Sequence, residues 1–144
     1  AAVVLMHMRG TPATMQHMAR YRDVVDEVSR YLAERARAAQ AAGIAKSRII
    51  LDPGIGFAKK SSHNLKLLAE LSRLCRLGYP LRVGVSRKNF ISQIAGVGQE
   101  ELIFGTTAAV CLAIIAGAAI VRVHDPGPIG AAVRVAAAIS AARA

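Results

Sequence analysis

The residues best suited to chemistry stand where short apolar runs of the sequence end. In AIVRVH (119–124), Arg122 and His124 are two positions apart, so in a strand both would point to the same side. A guanidinium beside an imidazole offers a fork of hydrogen-bond donors together with a titratable donor. Because burying an unpaired arginine is costly, this spacing predicts an anion pocket. The alternative is a salt bridge to a carboxylate elsewhere in the chain.

A carboxylate ends a second apolar run. Asp52 closes RIILD (48–52), and the following PGIGF forces a tight turn. A strand-end aspartate often only caps such a turn. Beside a cationic pocket, its oxygens would instead accept hydrogen bonds from the N–H groups of a ligand. Phe57, which ends the turn, is either an aromatic lid or part of the core.

Two adjacent cations follow a third run. LRVGV (81–85) leads directly into Ser86, Arg87 and Lys88. Neighbouring residues project in different directions, so only one of the two cations can easily face a ligand. The other is expected to be solvated or paired with an acid.

Methionines and a histidine end the first run, VVLMHM (3–8). Alternation turns His7 away from Met6 and Met8, so only one of these sets can face a ligand. A methionine at a strand end more often packs in the hydrophobic core than lines a ligand site. The four histidines show no metal-type spacing, which argues against a zinc site.

These runs alternate with helical patterns. Strands are predicted at 3–8, 48–52, 81–85 and 119–124, and helices at 22–42, 63–77, 105–116 and 128–142. The polar residues follow the strands, whereas the connections after the helices are short and plain. Chemistry at the carboxyl ends of parallel strands is typical of an α/β protein of the (β/α)8 TIM-barrel type, of which four units are half. The alternative fold is an open doubly wound sheet. No G-x-G-x-x-G fingerprint follows the first strand, which argues against dinucleotide binding.

Composition restricts the class of protein. The 144 residues are 53% hydrophobic and 19% charged, as expected of a globular domain. A net charge of +10 favours an anionic partner, but the few aromatic residues make nucleic acid the weakest option. We expect no membrane partner, because no apolar run has the length of a bilayer span and no signal peptide is recognisable. Two cysteines without metal-type spacing fit a reducing compartment, so we expect a cytoplasmic protein.

Helix 105–116 carries no charge on any side. Because an outer barrel helix ordinarily keeps a solvated side, this helix is expected to be covered by a second subunit in a homodimer. The chain also opens directly inside a strand, without an initiator methionine. We therefore expect residues 1–144 to be a piece of a longer chain.

Four stretches, in order, resemble the successive motifs of dihydropteroate synthase, a folate-pathway enzyme and the target of sulfonamides. They are LMHMRGTPATMQ, ILDPGIGFAKKSSHNLKLLAEL, GYPLRVGVSRKNFI and GAAIVRVHD. The resemblance extends over essentially all 144 residues, and four ordered motifs are far more specific than any one of them. It implies barrel strands five to eight, so that residues 1–144 would be the C-terminal half of a pterin-binding TIM-barrel domain.

The resemblance also implies a reaction and a set of residues. The family joins p-aminobenzoate to 6-hydroxymethyl-7,8-dihydropterin pyrophosphate, giving 7,8-dihydropteroate and pyrophosphate. Residues that would bind the pterin are Met6, Asp52, Gly84, Lys88 and Arg122. Residues that would contact p-aminobenzoate are Phe57, Lys88 and Asn89. Pyrophosphate would be held by Arg122 and His124, and the catalytic residues would be Lys88, Arg122 and His124.

Magnesium would assist this reaction, bound mainly through the substrate's pyrophosphate and through residues outside this chain. The sequence departs from the family in three places: Asn89 stands where Ser is common, Leu102 stands where Arg is frequent, and HDPGPIG (124–130) is unusual after the last strand. The family's first four strands are absent, and part of the pterin site is absent with them. The chain by itself is therefore expected to be inactive.

Two other functions remain open from the sequence. One is a different pterin-binding barrel, of the methyltetrahydrofolate methyltransferase type, although the SRK loop and the Arg122/His124 pair favour pyrophosphate chemistry. The other is a non-catalytic half-barrel that associates with itself. Such a half-barrel would expose sheet edges at strands 3–8 and 119–124, and unpaired edges invite pairing.

Overall fold

The computed structural model describes residues 1–98 and 100–142. Within these ranges, strands alternate with helices along the chain. The strands are β1 (Val3–Met6), β2 (Ile49–Asp52), β3 (Arg82–Val83) and β4 (Ile120–Val121). The helices are α1 (Val24–Ala41), α2 (Ser61–Ala69), α3 (Leu71–Cys75), α4 (Asn89–Ala95), α5 (Leu102–Ile115) and α6 (Pro126–Ala141). Short 3₁₀ turns lie at Met15–Met18 and Lys46–Arg48.

The strands are parallel and neighbour one another in chain order. Strand β1 pairs with β2 from Val3↔Ile49 to Met6↔Asp52, and β3 pairs with β4 from Arg82↔Ile120 to Val83↔Val121. A parallel bridge between Leu51 and Leu81 joins the two pairs. Each parallel step needs a crossover, which the intervening helices supply. The carboxyl ends of all four strands therefore meet at one edge.

Alternation divides the strand residues between two faces. One face packs under the helices and forms the core, in which Ile49, Leu51, Leu81, Val83 and Val85 are fully buried. We call the other side the open face; it carries Met6, Asp52, Arg82, Gly84, Ile120, Arg122 and His124. Polar side chains on this face are compatible with the fold because helices do not cover it.

Helix α1 begins and ends as its sequence predicts. Asp23 is the N-cap, and its carboxylate accepts hydrogen bonds from the backbone N–H groups of Val25 and Asp26. Gly43 follows the C-terminal end with a φ of +90°, which favours glycine. The apolar stripe Val25, Val28, Leu32 and Ala36 is fully buried against the sheet.

The predicted helix 63–77 is two helices rather than one. The α2 helix ends at Ala69 and α3 begins at Leu71, because Glu70 leaves helical geometry with φ −107° and ψ 23°. The apolar spacing still continues across the break, since Leu67, Leu71 and Leu74 are all buried. Periodicity therefore predicts the buried side correctly and does not reveal the break.

Other boundaries also differ from prediction. The segment after β3, for which no element was predicted, contains helix α4, which buries Phe90 and Ile91 and is capped by Gly96 with a φ of +65°. Helix α5 begins at Leu102 and α6 at Pro126, a few residues before the predicted starts. Strands β3 and β4 are only two residues long. Strand length depends on paired neighbours, which composition does not reveal.

Helix α5 presents an apolar outer side. Phe104 is 73% exposed and Leu112 is 67% exposed. A groove of about 580 Å³ lies between α2, α4 and α5 and is lined almost entirely by apolar side chains, among them Leu65, Ile94 and Leu112. In the described ranges, no helix combines the length and the apolarity that crossing a membrane requires.

Candidate active site

The strand register brings open-face residues from all four strands into one row. Met6 lies beside Asp52, Asp52 lies at the level of Arg82, and Arg82 lies beside Ile120. Met6 and Asp52 are the last residues of β1 and β2, whereas Arg82 and Ile120 are the first residues of β3 and β4. An acid and a base from adjacent strands therefore face one another at the carboxyl end of β2, which is the end of a strand where a barrel places its chemistry.

Asp52 is held by contacts on both of its oxygens. Its side chain is nearly buried; Oδ1 accepts a hydrogen bond from the Gly54 N–H at 2.8 Å, and Oδ2 accepts one from Arg82 Nε at 2.8 Å. These contacts fix the carboxylate's orientation, and each oxygen keeps a further lone pair for a ligand. Asp52 is therefore both the cap of its turn and a usable acceptor on the open face.

Arg82 is a site residue that sequence reasoning missed. It is 30 residues from Asp52 in the chain and forms an ion pair with it. A signal was present, because Arg82 interrupts an otherwise apolar strand two positions before Gly84 and so points to the same side. Its acidic partner could not be identified without the register between β2 and β3.

Lys88 is turned back over the turn that follows β2. Its Nζ lies 4.6 Å from the centroid of the Phe57 ring, and its side chain is half-buried. Burial and the nearby Arg122 guanidinium lower the pKa of Lys88, and Asp52 opposes this effect. The ammonium thus lies over an aromatic ring and within the influence of the Asp52 charge.

Arg122 lies across Gly84 on the neighbouring strand. A Cβ at Gly84 would lie 3.4 Å from Arg122 Nε and 3.6 Å from one of its terminal nitrogens. The absence of a side chain at Gly84 therefore leaves the guanidinium plane accessible to a ligand on the open face. Arg122 is exposed, so its donors are available.

The loop after β3 is tied to the end of β4 by two adjacent contacts. His124 Nδ1 lies 3.0 Å from Ser86 Oγ, and the Arg87 guanidinium donates to both oxygens of Asp125 at 2.7 and 3.2 Å. The expectation that one of the two adjacent cations is paired with an acid is thus confirmed for Arg87. Lys88, by contrast, lies over the Phe57 ring.

Asn89 is the first residue of α4, and its side chain is exposed. It lines a polar cavity of about 460 Å³ together with four basic residues, which are Lys59, Lys60, Arg87 and Lys88. A cavity with this lining is suited to an anionic ligand.

A buried lysine holds the turn that carries Phe57. Lys59 Nζ donates to the carbonyl oxygens of Gly54 and Phe57 at 3.0 and 2.9 Å, and it lies 2.9 Å from His7 Nδ1. Burial lowers the pKa of Lys59 to about 7.

His7 faces the helix layer rather than the open face. In that layer its ring meets that of Tyr31 edge-on. Met6 is therefore the member of this group that lies on the open face.

The buried His7 should make the free energy of unfolding depend on pH. Burial, followed by the charges of Lys59 and Arg9, lowers the pKa of His7 to about 3. Between an ordinary histidine pKa of about 6.5 and 3, the unfolded chain binds a proton at this position and the folded chain does not. The free energy of unfolding should therefore fall as pH is lowered through this window, by at most about 1.4 kcal/mol per pH unit.

Urea titrations of the wild type and of His7→Gln between pH 4.5 and 6.5 would measure this effect. Glutamine keeps an acceptor for Lys59 but does not titrate, so its curve should be flatter than that of the wild type. The variant His17→Gln, at an exposed position, is the control. Identical slopes for the wild type and His7→Gln would contradict the assignment.

No group of three or more His, Cys, Asp or Glu side chains within the described ranges is arranged to hold a metal ion. The charged groups on the open face are mainly cationic, and Asp52 is the one carboxylate among the residues named on it. These residues therefore do not fit a metal held by this chain's own side chains.

Comparisons with known proteins agree with this geometry. A sequence model of the family described as "Pterin binding enzyme" matches residues 1–124. The dihydropteroate synthase of Escherichia coli K12 is 48% identical over 123 residues, which are 85% of this chain and 44% of that protein. The chain thus spans less than half the length of this curated relative.

Solved structures of dihydropteroate synthases are also similar to this chain. The Yersinia pestis dihydropteroate synthase with a sulfonamide drug complex superposes with a TM-score of 0.93 at 40% identity, over 98% of this chain and 52% of that one. The Xanthomonas albilineans enzyme in complex with 7,8-dihydropteroate gives 0.86 at 45% identity, over 97% and 51%. These matches confirm the predicted half of a TIM-type barrel and the resemblance to dihydropteroate synthase. With 124 of its 144 residues matched by the family's model, the chain belongs to the pterin-binding enzyme family.

Proposed function

We propose that this chain supplies the C-terminal four units of a dihydropteroate synthase barrel. The protein that contains it would condense p-aminobenzoate with 6-hydroxymethyl-7,8-dihydropterin pyrophosphate. The observation that carries the proposal is the grouping of one carboxylate with several cations on the open face. The acid is Asp52, and the cations on this face are Arg82 and Arg122. Lys88, in the loop after β3, is near enough for the charges of Asp52 and Arg122 to affect its pKa.

Each open-face group suits one part of the pterin substrate. The carboxylate of Asp52 would accept hydrogen bonds from ring N–H groups of the pterin, for which a carboxylate is a strong acceptor. Met6, beside Asp52 in the row, and the guanidinium of Arg122 would pack on the flat ring. Gly84 would let the ring approach the strand, because no side chain occupies that position.

Lys88 would line both substrate sites. Its ammonium lies over the Phe57 ring and also lines the basic cavity that includes Asn89. The carboxylate of p-aminobenzoate is an anion, and this cavity carries positive charge from several side chains. Phe57 would contact the benzene ring, and Asn89 would provide a polar contact where the family commonly has Ser.

The chemical step would exchange one bond at the pterin methylene for another. The bond between the methylene carbon and the pyrophosphate oxygen breaks, and the electron pair leaves with pyrophosphate. The amine of p-aminobenzoate then forms a C–N bond to the carbon and loses a proton. Arg122 and His124 would stabilise the negative charge that develops on the leaving group, which is where such donors lower the barrier.

Magnesium would be bound through the pyrophosphate oxygens of the substrate. We assign no residue of this chain as a magnesium ligand.

A hybrid enzyme tests the proposed function. The segment of the Escherichia coli relative that precedes the matched region would be joined to residues 1–144, which completes eight barrel units. We expect the hybrid to release pyrophosphate when given both substrates, and the 144-residue chain alone to show no turnover. A folded hybrid without activity would contradict the proposed function. Turnover by the 144-residue chain alone would contradict the expectation that the other half of the barrel supplies part of the active site.

We also propose that helix α5 lies in a homodimer interface. Support comes from its uncharged sequence and from the exposure of Phe104 and Leu112 beside the apolar groove. A second copy offers the same apolar surface, so one patch can bury the other. A molecular mass of one protomer for the hybrid in sedimentation at micromolar concentration would refute this interface. The cytoplasmic location expected from the sequence stays a prediction.

A further inference from the structure

Ser86 makes two contacts with the same histidine. Its Oγ accepts a hydrogen bond from the His124 backbone N–H at 3.2 Å and lies 3.0 Å from His124 Nδ1. Ser86 is only 5% exposed, whereas His124 is exposed. The serine is thus the buried side of a pair whose other ring nitrogen, Nε2, is not engaged by Ser86.

Counting protons identifies the donor in the side-chain contact. The Ser86 hydroxyl carries one proton, and a buried hydroxyl proton needs an acceptor. Among the described residues, the acceptor recorded near it is His124 Nδ1. If Nδ1 carried its own proton, the Ser86 proton would have no partner, at a cost of about 1–3 kcal/mol. Ser86 therefore donates to Nδ1, and the neutral ring carries its proton on Nε2.

We propose that Ser86 is a positioning residue that fixes His124 as the Nε2–H tautomer. The exposed edge of the ring then presents a hydrogen-bond donor on the same side of β4 as Arg122. An anion needs donors, and the other tautomer would present an acceptor lone pair to it. The assignment of that anion as pyrophosphate depends on the proposed function, whereas the tautomer does not.

The neighbouring ion pair supports the same arrangement. Arg87 and Asp125 each follow a member of the Ser86–His124 pair, and they join the same two segments. The two contacts together restrain how the loop after β3 lies against the end of β4. These contacts hold the Ser86 hydroxyl within hydrogen-bond distance of the His124 ring.

Long-range proton–nitrogen NMR spectra of the 144-residue chain, recorded near pH 8 where neutral imidazole dominates, identify each histidine's tautomer directly. We expect His124 in the wild type to be the Nε2–H form. In Ser86→Ala we expect a mixture that includes the Nδ1–H form. Ser86→Thr keeps the hydroxyl and should restore the wild-type pattern. Ser72→Ala, at an exposed position, should change nothing at His124.

Pyrophosphate affinity, measured by calorimetry on the hybrid enzyme, provides the second measurement. We expect Ser86→Ala to weaken binding about 5- to 10-fold, as for loss of one oriented donor. The proposal would be overturned if His124 in the wild type carried its proton on Nδ1. This test needs no variant, so it holds even if Ser86→Ala does not fold. An unchanged tautomer in folded Ser86→Ala would also overturn the proposal. Failure of the wild-type hybrid to bind pyrophosphate, with the expected tautomer present, would refute the proposed function and leave the tautomer assignment standing.

Discussion

Replacing Asp52 with Asn is expected to lower the rate of the hybrid synthase by about 100- to 1,000-fold. Hydrogen bonds to a charged acceptor contribute about 1.5–3 kcal/mol each, and two such bonds to the pterin would be lost or weakened. An amide can also turn a donor toward the N–H groups of the pterin, which is repulsive. Asp52 is the residue whose charge the proposed pterin site most depends on.

Initial rates of pyrophosphate release, with each substrate varied in turn, would measure this effect. Asp26→Asn is the matched control, because Asp26 is an exposed carboxylate in an ion pair with Arg30 on α1. Urea unfolding of both variants separates loss of binding from loss of fold, since Arg82 would lose its charged partner. A folded Asp52→Asn hybrid with wild-type kinetics would rule out this carboxylate as the pterin acceptor.

Replacing Gly54 with Ala is expected to lower the free energy of unfolding by about 2–5 kcal/mol. A Cβ at this position would lie 1.9 Å from the carbonyl oxygen of His7, and φ is +65°. The left-handed backbone alone costs about 1–2 kcal/mol, and forcing the strand end away from the turn adds about 1–3 kcal/mol. The sum is a large part of a typical stability of about 5–15 kcal/mol.

Gly96→Ala separates these two contributions. Gly96 has the same φ of +65°, but nothing lies within 4 Å of the position that a Cβ would take. Urea titrations should therefore show a loss of about 1–2 kcal/mol for Gly96→Ala and about 2–5 kcal/mol for Gly54→Ala. Equal losses in the two variants would mean that the contact with His7 relaxes without cost.

The fold was largely predictable because its signals are local. Period-2 and period-3.6 patterns identify the four strands and the long helices, and Asp23 and Gly43 mark the ends of α1 within a few residues. The break at Glu70 and the short helix α4 were missed. Neither interrupts the apolar spacing strongly enough to be recognised without the packing around it.

The candidate site was predictable only in part. Strand-end position and the resemblance together identified Asp52, Lys88, Arg122 and His124, and the structure places them at the predicted edge of the sheet. Their substrate contacts stay predictions. Arg82, Ser86 and Lys59 were missed as partners, although each touches a predicted residue or its loop.

The alternation of strands with helices, the faces on which the strand residues lie, and the family can all be inferred from the amino-acid sequence. Which polar side chains meet depends on the tertiary structure. Asp52 and Arg82 are 30 residues apart, Ser86 and His124 are 38 apart, and His7 and Lys59 are 52 apart. Alternation fixes the direction of a side chain from its nearest neighbours in the chain. Contact between strands depends on register, which the packing of the helices and turns sets as a whole.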